Sequence, residues 1–375
     1  MRYCKNCLQP DTRPNTRFSQ DGICPACTYY SKHKEVDWAE RTQIIHRLAQ
    51  SYKNPAAQYD CIIGVSGGKD SVRQALWVRD YLKLRPLLVC LSYPPHQVTD
   101  IGVDNLSNLI ELGFDLIQVC PAPETWRKLM ALAFEKFANW ARATELALFS
   151  AVPRLAIDYK IPLILWGENP GLQLGDLGTL GRTGYDGNNL RNMNTLSGGS
   201  NDWMTSAGFD KKDLIAYNYP SAEEFLEHNI QIIYLGWFLG DWSLNNNAMV
   251  SALNGLSVRH DSPSNTGDLY GVSSLDEDWV TLNQMIKYYK FGFGRASDYA
   301  NEMIRMGTFT REEGIDVVKR FDGACSEKYI ADFCDFIGIT TTDFWEQVRS
   351  IVNPDLFDLT GNMIKPKFSV GKGLP

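Results

Sequence analysis

The sequence lacks any apolar run long enough to cross a bilayer. Its longest strongly apolar stretch, residues 230–239, is about half of the roughly 20 residues a spanning helix needs. It lacks an apolar core after Met1, where Arg2-Tyr3-Cys4-Lys5-Asn6-Cys7 follow, so the expectation is a cytoplasmic protein with no membrane partner. It also lacks an excess of positive charge: 37 Lys and Arg stand against 44 Asp and Glu, a net charge of −7. A polyanion such as tRNA calls for a basic face, so the balance favours small-molecule or protein partners over nucleic acid. Histidine is scarce, with five residues and none inside a metal or catalytic motif. The composition is that of an ordinary globular protein, 44% hydrophobic and 22% charged over 375 residues, enough for two or three domains.

Against that background, Ser66-Gly67-Gly68-Lys69-Asp70-Ser71 stands out. An apolar run precedes it at 59–65 and an amphipathic segment follows at 72–84. Strand, glycine turn and helix start make a phosphate cradle: glycines let the backbone approach an anion, and the free N–H groups and helix dipole point at it. Lys69 adds a mobile positive charge, and Ser66 and Ser71 add hydroxyls. A Walker A loop is excluded, because its spacing is absent and Asp70 follows the lysine. The motif resembles the PP-loop of the ATP pyrophosphatase superfamily, whose SGGxDS pattern is matched at every fixed position. That resemblance implies cleavage of ATP between the α and β phosphates. Ser66, Gly67, Gly68, Asp70 and Ser71 would hold pyrophosphate, Asp70 would help place Mg²⁺, and Lys69, Asp70 and Ser71 would form the catalytic group.

Cys4, Cys7, Cys24 and Cys27 form C-x2-C-x16-C-x2-C, a spacing suited to a four-thiolate zinc site. Two disulfides are the rival, disfavoured in the reducing compartment of an ATP-using cytoplasmic protein. Four thiolates leave no open coordination position, so a structural Zn²⁺ ribbon is the default, with a redox or iron–sulfur role as the alternative. Cys61, Cys90, Cys120, Cys325 and Cys334 read mostly as core residues.

The order of segments predicts an α/β protein: a parallel-sheet PP-loop core, an N-terminal zinc ribbon and a C-terminal helical region. The divisions are a ribbon at 1–34, a linking helix at 35–58, the core with a substrate loop at 59–255, and a mainly helical region at 256–375. Strands are expected at 60–65, 85–91, 115–119, 161–166 and 230–238. Helices are expected at 37–53, 69–84, 97–112, 126–147, 152–159 and 242–253, with five more after residue 280. Ser221 and Thr310 open capping boxes. The polar segment 171–208 reads as an active-site loop, and the tail from Lys365 as mobile.

Several segments together resemble the N-acetyl sugar amidotransferases of bacterial surface-polysaccharide synthesis, nearest to the branch serving O-antigen and lipopolysaccharide. They are the Cys4–Cys27 ribbon, the 65–71 loop, Trp166-Gly167-Glu168-Asn169-Pro170, Ser273-Ser274-Leu275-Asp276, Lys290 to Asp298, Ile304-Arg305-Met306-Gly307 and Thr310-Arg311-Glu312-Glu313. The resemblance implies conversion of an acetamido group on a nucleotide-linked sugar, of the UDP-diacetamido-mannuronic acid type, into an acetamidino group. ATP would adenylate the amide oxygen, and ammonia would displace AMP. It implies that Ser92, Glu168 and Asn169 face the nucleotide, Glu168 and Asn169 in part through Mg²⁺. Arg295, Asp298, Arg305 and Arg311 are candidates to bind an acidic sugar or its diphosphate. It also implies that ammonia comes from a separate glutaminase and cyclase-like pair, since no glutaminase nucleophile is recognisable here. A tRNA thiolase is the alternative, with Cys90 and Cys120 as candidate reactive thiols.

Overall fold

The computed structural model describes residues 1–173, 175, 187–193, 196–361 and 363–374. Its centre is a sheet of five parallel strands: β1 (Cys61–Gly64), β2 (Pro86–Leu91), β3 (Leu116–Val119), β4 (Leu163–Trp166) and β5 (Gln231–Tyr234), in the order β3-β2-β1-β4-β5. All six residues of β2 and all four of β4 are buried. Continuous apolar strands of this kind can only be covered on both faces, which parallel crossovers supply. The order reverses direction between β1 and β4, and such a sheet binds ligands at that switch point, beyond the carboxyl ends of its strands.

After α1 (Pro25–His33), the ribbon's own helix, one face of the sheet carries α2 (Trp38–Tyr52), α3 (Lys69–Asp80) and α4 (Asp100–Glu111), packed through Ile45, Val72 and Leu109. Asp37 and Thr99 cap α2 and α4 with their side chains, as local sequence dictates. The other face carries α5 (Pro123–Phe137) and α6 (Ala141–Asp158). Trp126 and Phe134 of α5, with Trp140 at the N-cap of α6, continue into Phe333 and Phe344 of the C-terminal helices. The capping boxes at Ser221 and Thr310 both form.

Three expectations are corrected. The helix expected at 126–147 breaks at Ala138, which takes a left-handed φ of 43°. The next helix, α6, then runs straight through Pro153 to Asp158. The strand expected at 230–238 stops at Tyr234, and Leu235–Phe238 turn into a short helix. The tail is not loose. Strands Phe357–Thr360 and Met363–Pro366 pair antiparallel, Phe368 is buried beside Phe357, and the Leu374 N–H donates to the Met1 carbonyl at 3.2 Å. Residues 174, 176–186, 194 and 195 of the expected active-site loop lie outside the described residues; its described parts form short helical turns and line no wall of the cavity discussed below.

The ribbon docks on the C-terminal region. The Leu8 N–H donates to Asn301 Oδ1 at 2.8 Å, and Arg13 pairs with Asp298 across 285 positions of sequence. Arg13 also lies over the Phe293 ring, 4.3 Å from its centroid.

Candidate active site

The loop after β1 enters α3 through two glycines that do different work. Gly67 has φ +80°, and a Cβ there would stand 3.0 Å from the Asn105 carbonyl carbon and the Leu106 nitrogen of α4. Only glycine fits that turn. Gly68 is the N-cap of α3 and offers no side chain, leaving the helix N-terminus open to an anion. The loop is braced from within: the Ser66 N–H donates to Ser71 Oγ at 2.9 Å, and the Gly68 N–H to Ser66 Oγ at 3.4 Å.

Lys69 Nζ contacts Asp70 Oδ2 at 2.9 Å. Burial opposes the lysine charge, but Asp70, with Glu302 and Asp268 farther off, holds the ammonium above the ordinary lysine range. A helix at Leu244–Ala252 clamps this turn. Asn247 Nδ2 donates to Asp70 Oδ1 at 2.7 Å, and the Ser251 hydroxyl to the Lys69 carbonyl at 2.6 Å. Nothing in the spacing of Asn247 and Ser251 marks them in sequence.

The loop opens into a cavity of about 220 Å³. Val89, Leu91, Leu148, Phe149, Val152 and Trp166 give it an apolar side, with Phe149 and Trp166 stacked at 5.5 Å. Glu168 gives it a carboxylate, open to solvent within the cavity. Burial by the surrounding protein, then the charge of Asp70, push Glu168 up to about 7. Val272, Ser273, Ser274 and Leu275 complete the wall from the C-terminal region. Wider clefts of about 720 and 810 Å³ lie elsewhere, but neither includes the glycine loop. A glycine-lined helix start, a partly buried lysine, two carboxylates and an apolar slot can hold a nucleotide and a divalent cation together.

The remaining sequence candidates divide. Ser92 follows β2, donating its N–H to the Val119 carbonyl at 2.9 Å, and is not among the residues lining the cavity. Asn169 is fully buried and turned into the protein: its Nδ2 donates to the Gly236 carbonyl at 3.1 Å, and its Oδ1 accepts the Leu172 N–H. Arg295 reaches the site indirectly, donating from Nη2 to Ser274 Oγ at 3.0 Å. Asp298 is held between Arg13 and Lys287. Burial works against its charge, but the two cations bring it down to about 2. Arg305 is buried beside the cysteine quartet, and Arg311 donates to the Gly371 carbonyl at 3.0 Å, anchoring the tail. These last three serve the join between the ribbon, the helices and the tail rather than the cavity.

The four ribbon cysteines are buried with their sulfurs all within 4.8 Å of one another, and can hold a metal ion. Backbone N–H groups of Gln9, Cys24 and Cys27 point at sulfurs at 3.2 to 3.4 Å. Such donors offset thiolate charge, as a cation would.

Among the described residues, no helix is long and apolar enough to cross a membrane. No curated protein sequence matches the chain. Among solved structures, the U34-tRNA thiolase NcsA from Methanococcus maripaludis, with its [4Fe-4S] cluster, is 13% identical and has a TM-score of 0.31. That match covers 90% of this chain and 95% of that one. An NH3-dependent NAD synthetase from Campylobacter jejuni subsp. jejuni NCTC 11168, in complex with the nitrate ion, is 14% identical with a TM-score of 0.28, covering 60% of this chain and all of that one. Scores this low leave the fold resting on the strand order and the loop geometry. Residues 269–367, which bring Ser273, Ser274 and Leu275 to the cavity, match the family model for the C-terminal domain of WbpG-like LPS biosynthesis proteins.

Proposed function

We propose that the chain is an ATP-dependent amidotransferase that turns an acetamido group of a nucleotide-linked sugar into an acetamidino group for surface-polysaccharide synthesis. The observation that carries this reading is the complete SGGKDS loop, with Gly67 left-handed and Lys69 partly buried beside Asp70, opening into a cavity walled partly by the WbpG-like domain. An amide carbon is a poor electrophile. Its oxygen attacks the α-phosphorus of ATP, the α–β bond breaks, and pyrophosphate leaves. Ammonia then adds to the imidate carbon, and AMP departs with the former carbonyl oxygen, leaving an amidine.

The protein's part is positioning and charge neutralisation. The open N-terminus of α3 and Lys69 hold the departing pyrophosphate. Phe149, Trp166 and their apolar neighbours provide a slot for the adenine ring. Asp70 and Glu168 are the groups that would hold Mg²⁺, which neutralises phosphate charge when bound. Ammonia reaches this site from a separate glutaminase and cyclase-like pair. Gel filtration of the mixed proteins tests that point, and absence of co-elution refutes it.

Zinc is the ion we assign to the quartet. A tetrahedral ion with Zn–S bonds of about 2.3 Å sets its sulfurs about 3.8 Å apart, and Cys7 and Cys24 sulfurs lie at 3.7 Å. A four-iron cluster would need the sulfurs spread wider. A tRNA thiolase reading meets a further obstacle: among the described residues no cysteine lines the cavity, Cys90 is buried with its thiol pushed up to about 12, and Cys120 stands outside the wall.

Incubation with MgATP, ammonium and a UDP-linked diacetamido uronic acid, followed by mass spectrometry and nucleotide analysis, tests the function. A sugar that exchanges one oxygen for NH as ATP becomes AMP supports it. Unchanged sugar alongside sulfur transfer to tRNA would replace it with the thiolase reading.

A further inference from the structure

Ser273 and Ser274 are held in the cavity wall by more contacts than a loop requires. Ser274 has φ 49°, a left-handed backbone that strains a residue with a Cβ. Two arginines impose it. Arg259 Nη2 donates to the Ser274 carbonyl at 2.8 Å, and Arg295 Nη2 donates to its Oγ at 3.0 Å. Glycine would take the same turn without strain, so the feature gained by serine here is its hydroxyl.

The proton count decides which way each hydroxyl faces. Arginine only donates, so Ser274 Oγ accepts from Arg295, and its own proton remains. Among the described residues none accepts it. Ser273 Oγ lies 2.6 Å from the Tyr299 hydroxyl. The charge of the Asp268 carboxylate acts on the Tyr299 hydroxyl and draws its proton that way, since a carboxylate only accepts. With its proton turned towards Asp268, Tyr299 accepts from Ser273, and the Ser273 lone pairs are free for a donor in the cavity. Asp268 fixes the frame, taking the Tyr270, Gly271 and Ser273 N–H groups at 2.9 to 3.1 Å. The wall thus sets one donor beside one acceptor.

We propose that Ser274 and Ser273 together dock a secondary amide of the acceptor substrate, Ser274 donating to its carbonyl oxygen and Ser273 accepting its N–H. This rests on the acetamido-sugar reading above. A carbonyl oxygen so held keeps a second lone pair for phosphorus. The Watson–Crick edge of adenine presents the same pattern, so the test has an arm for each.

The variants are Ser274→Gly, which also relieves the strained φ, and Ser273→Ala. AMP formation is measured with MgATP, ammonium and the UDP-linked diacetamido uronic acid. ATP affinity is measured separately, without sugar, and thermal melting checks the fold. Loss of one hydrogen bond is expected to raise KM for the sugar about tenfold in each variant, with ATP affinity unchanged and the melting temperature of Ser274→Gly at or above that of the wild type. Weakened ATP binding by the same factor overturns the proposal in favour of adenine. An unchanged KM for the sugar, in a preparation whose wild type turns over, overturns it outright. A wild type that forms no AMP from the sugar defeats the functional reading and this proposal with it.

Discussion

Replacing Glu168 with glutamine separates a proton-linked cavity carboxyl from an ordinary surface one. The ordinary glutamate value of 4.5 rises to about 7 in the folded chain, through burial and the nearby Asp70 charge. An acid with a higher pKa folded than unfolded keeps its proton longer when folded, so its folded form loses stability as pH rises from about 4.5 and the loss is complete above about 7. At about 1.4 kcal/mol per pH unit the ceiling is about 3 kcal/mol. Solvent inside the cavity reaches Glu168 and screens the charge, which brings the expected penalty to about 1 kcal/mol. Glutamine keeps the shape without the linkage. In urea denaturation without nucleotide or divalent cation, E168Q should nearly match the wild type at pH 5 and exceed it by about 1 kcal/mol at pH 8. AMP formation should fall at least tenfold at both pH values, because the group that balances charge in the cavity is gone. An equal gain at pH 5 and pH 8 would refute the proton linkage, and a loss at pH 8 would mean the ionised carboxylate stabilises the fold.

Gly67→Ala forces a Cβ against the α4 backbone at a left-handed position. It should cost about 1–2 kcal/mol for the conformation and a further 1–3 kcal/mol for overpacking, and abolish ATP turnover; a variant with wild-type melting and turnover would show the loop takes another shape. Arg13→Met should weaken folding by about 1 kcal/mol near pH 7, after allowing for partial exposure of Asp298. The depressed Asp298 value means this contribution is present above about pH 4 and fades as pH falls towards 2, so a pH-independent difference would refute the pairing. Stripping the metal with a strong chelator should release the ribbon, detected as reactive thiols at Cys4, Cys7, Cys24 and Cys27, and should also lower the thermal stability of the whole chain. Thiols that appear with no change in melting would mean the ribbon is an independent appendage.

Much of the core could be read locally. The apolar runs, the glycine turn and the caps at Asp37, Ser221 and Thr310 are each decided within a few residues, so strands, loop and helix starts fall close to expectation. The break at Ala138 could not be read, because alanine carries no signal for a left-handed φ. Pro153 misleads in the other direction, since a helix tolerates it when packing holds the turn in place. The candidate sugar ligands expose the limit of spacing. Arg295 and Asp298 stand three apart and invite pairing, yet Asp298 takes Arg13 and Lys287 while Arg295 takes Ser274. The same limit hides the partners of Asp70 and Lys69, which arrive from residues 247 and 251.

The helix Arg295–Met306 ties the cysteine ribbon to the wall of the cavity. Its 12 residues make a rod of about 18 Å. At its first turns, Arg295 and Tyr299 grip the Ser274 and Ser273 hydroxyls of the cavity wall. Farther along, Asn301 takes the Leu8 N–H, and Ile304 packs on the cysteine cluster. Arg13 of the ribbon binds Asp298, one residue before Tyr299. A helix held at both ends can shift only as a body, so loosening the quartet moves the residues that fix the wall. Ser274 would feel this first: its left-handed backbone persists only while Arg259 and Arg295 hold it, and relaxation would turn its hydroxyl away from the cavity. The zinc we assign, though coordinatively closed, would then govern substrate affinity through helix position rather than through any bond to substrate.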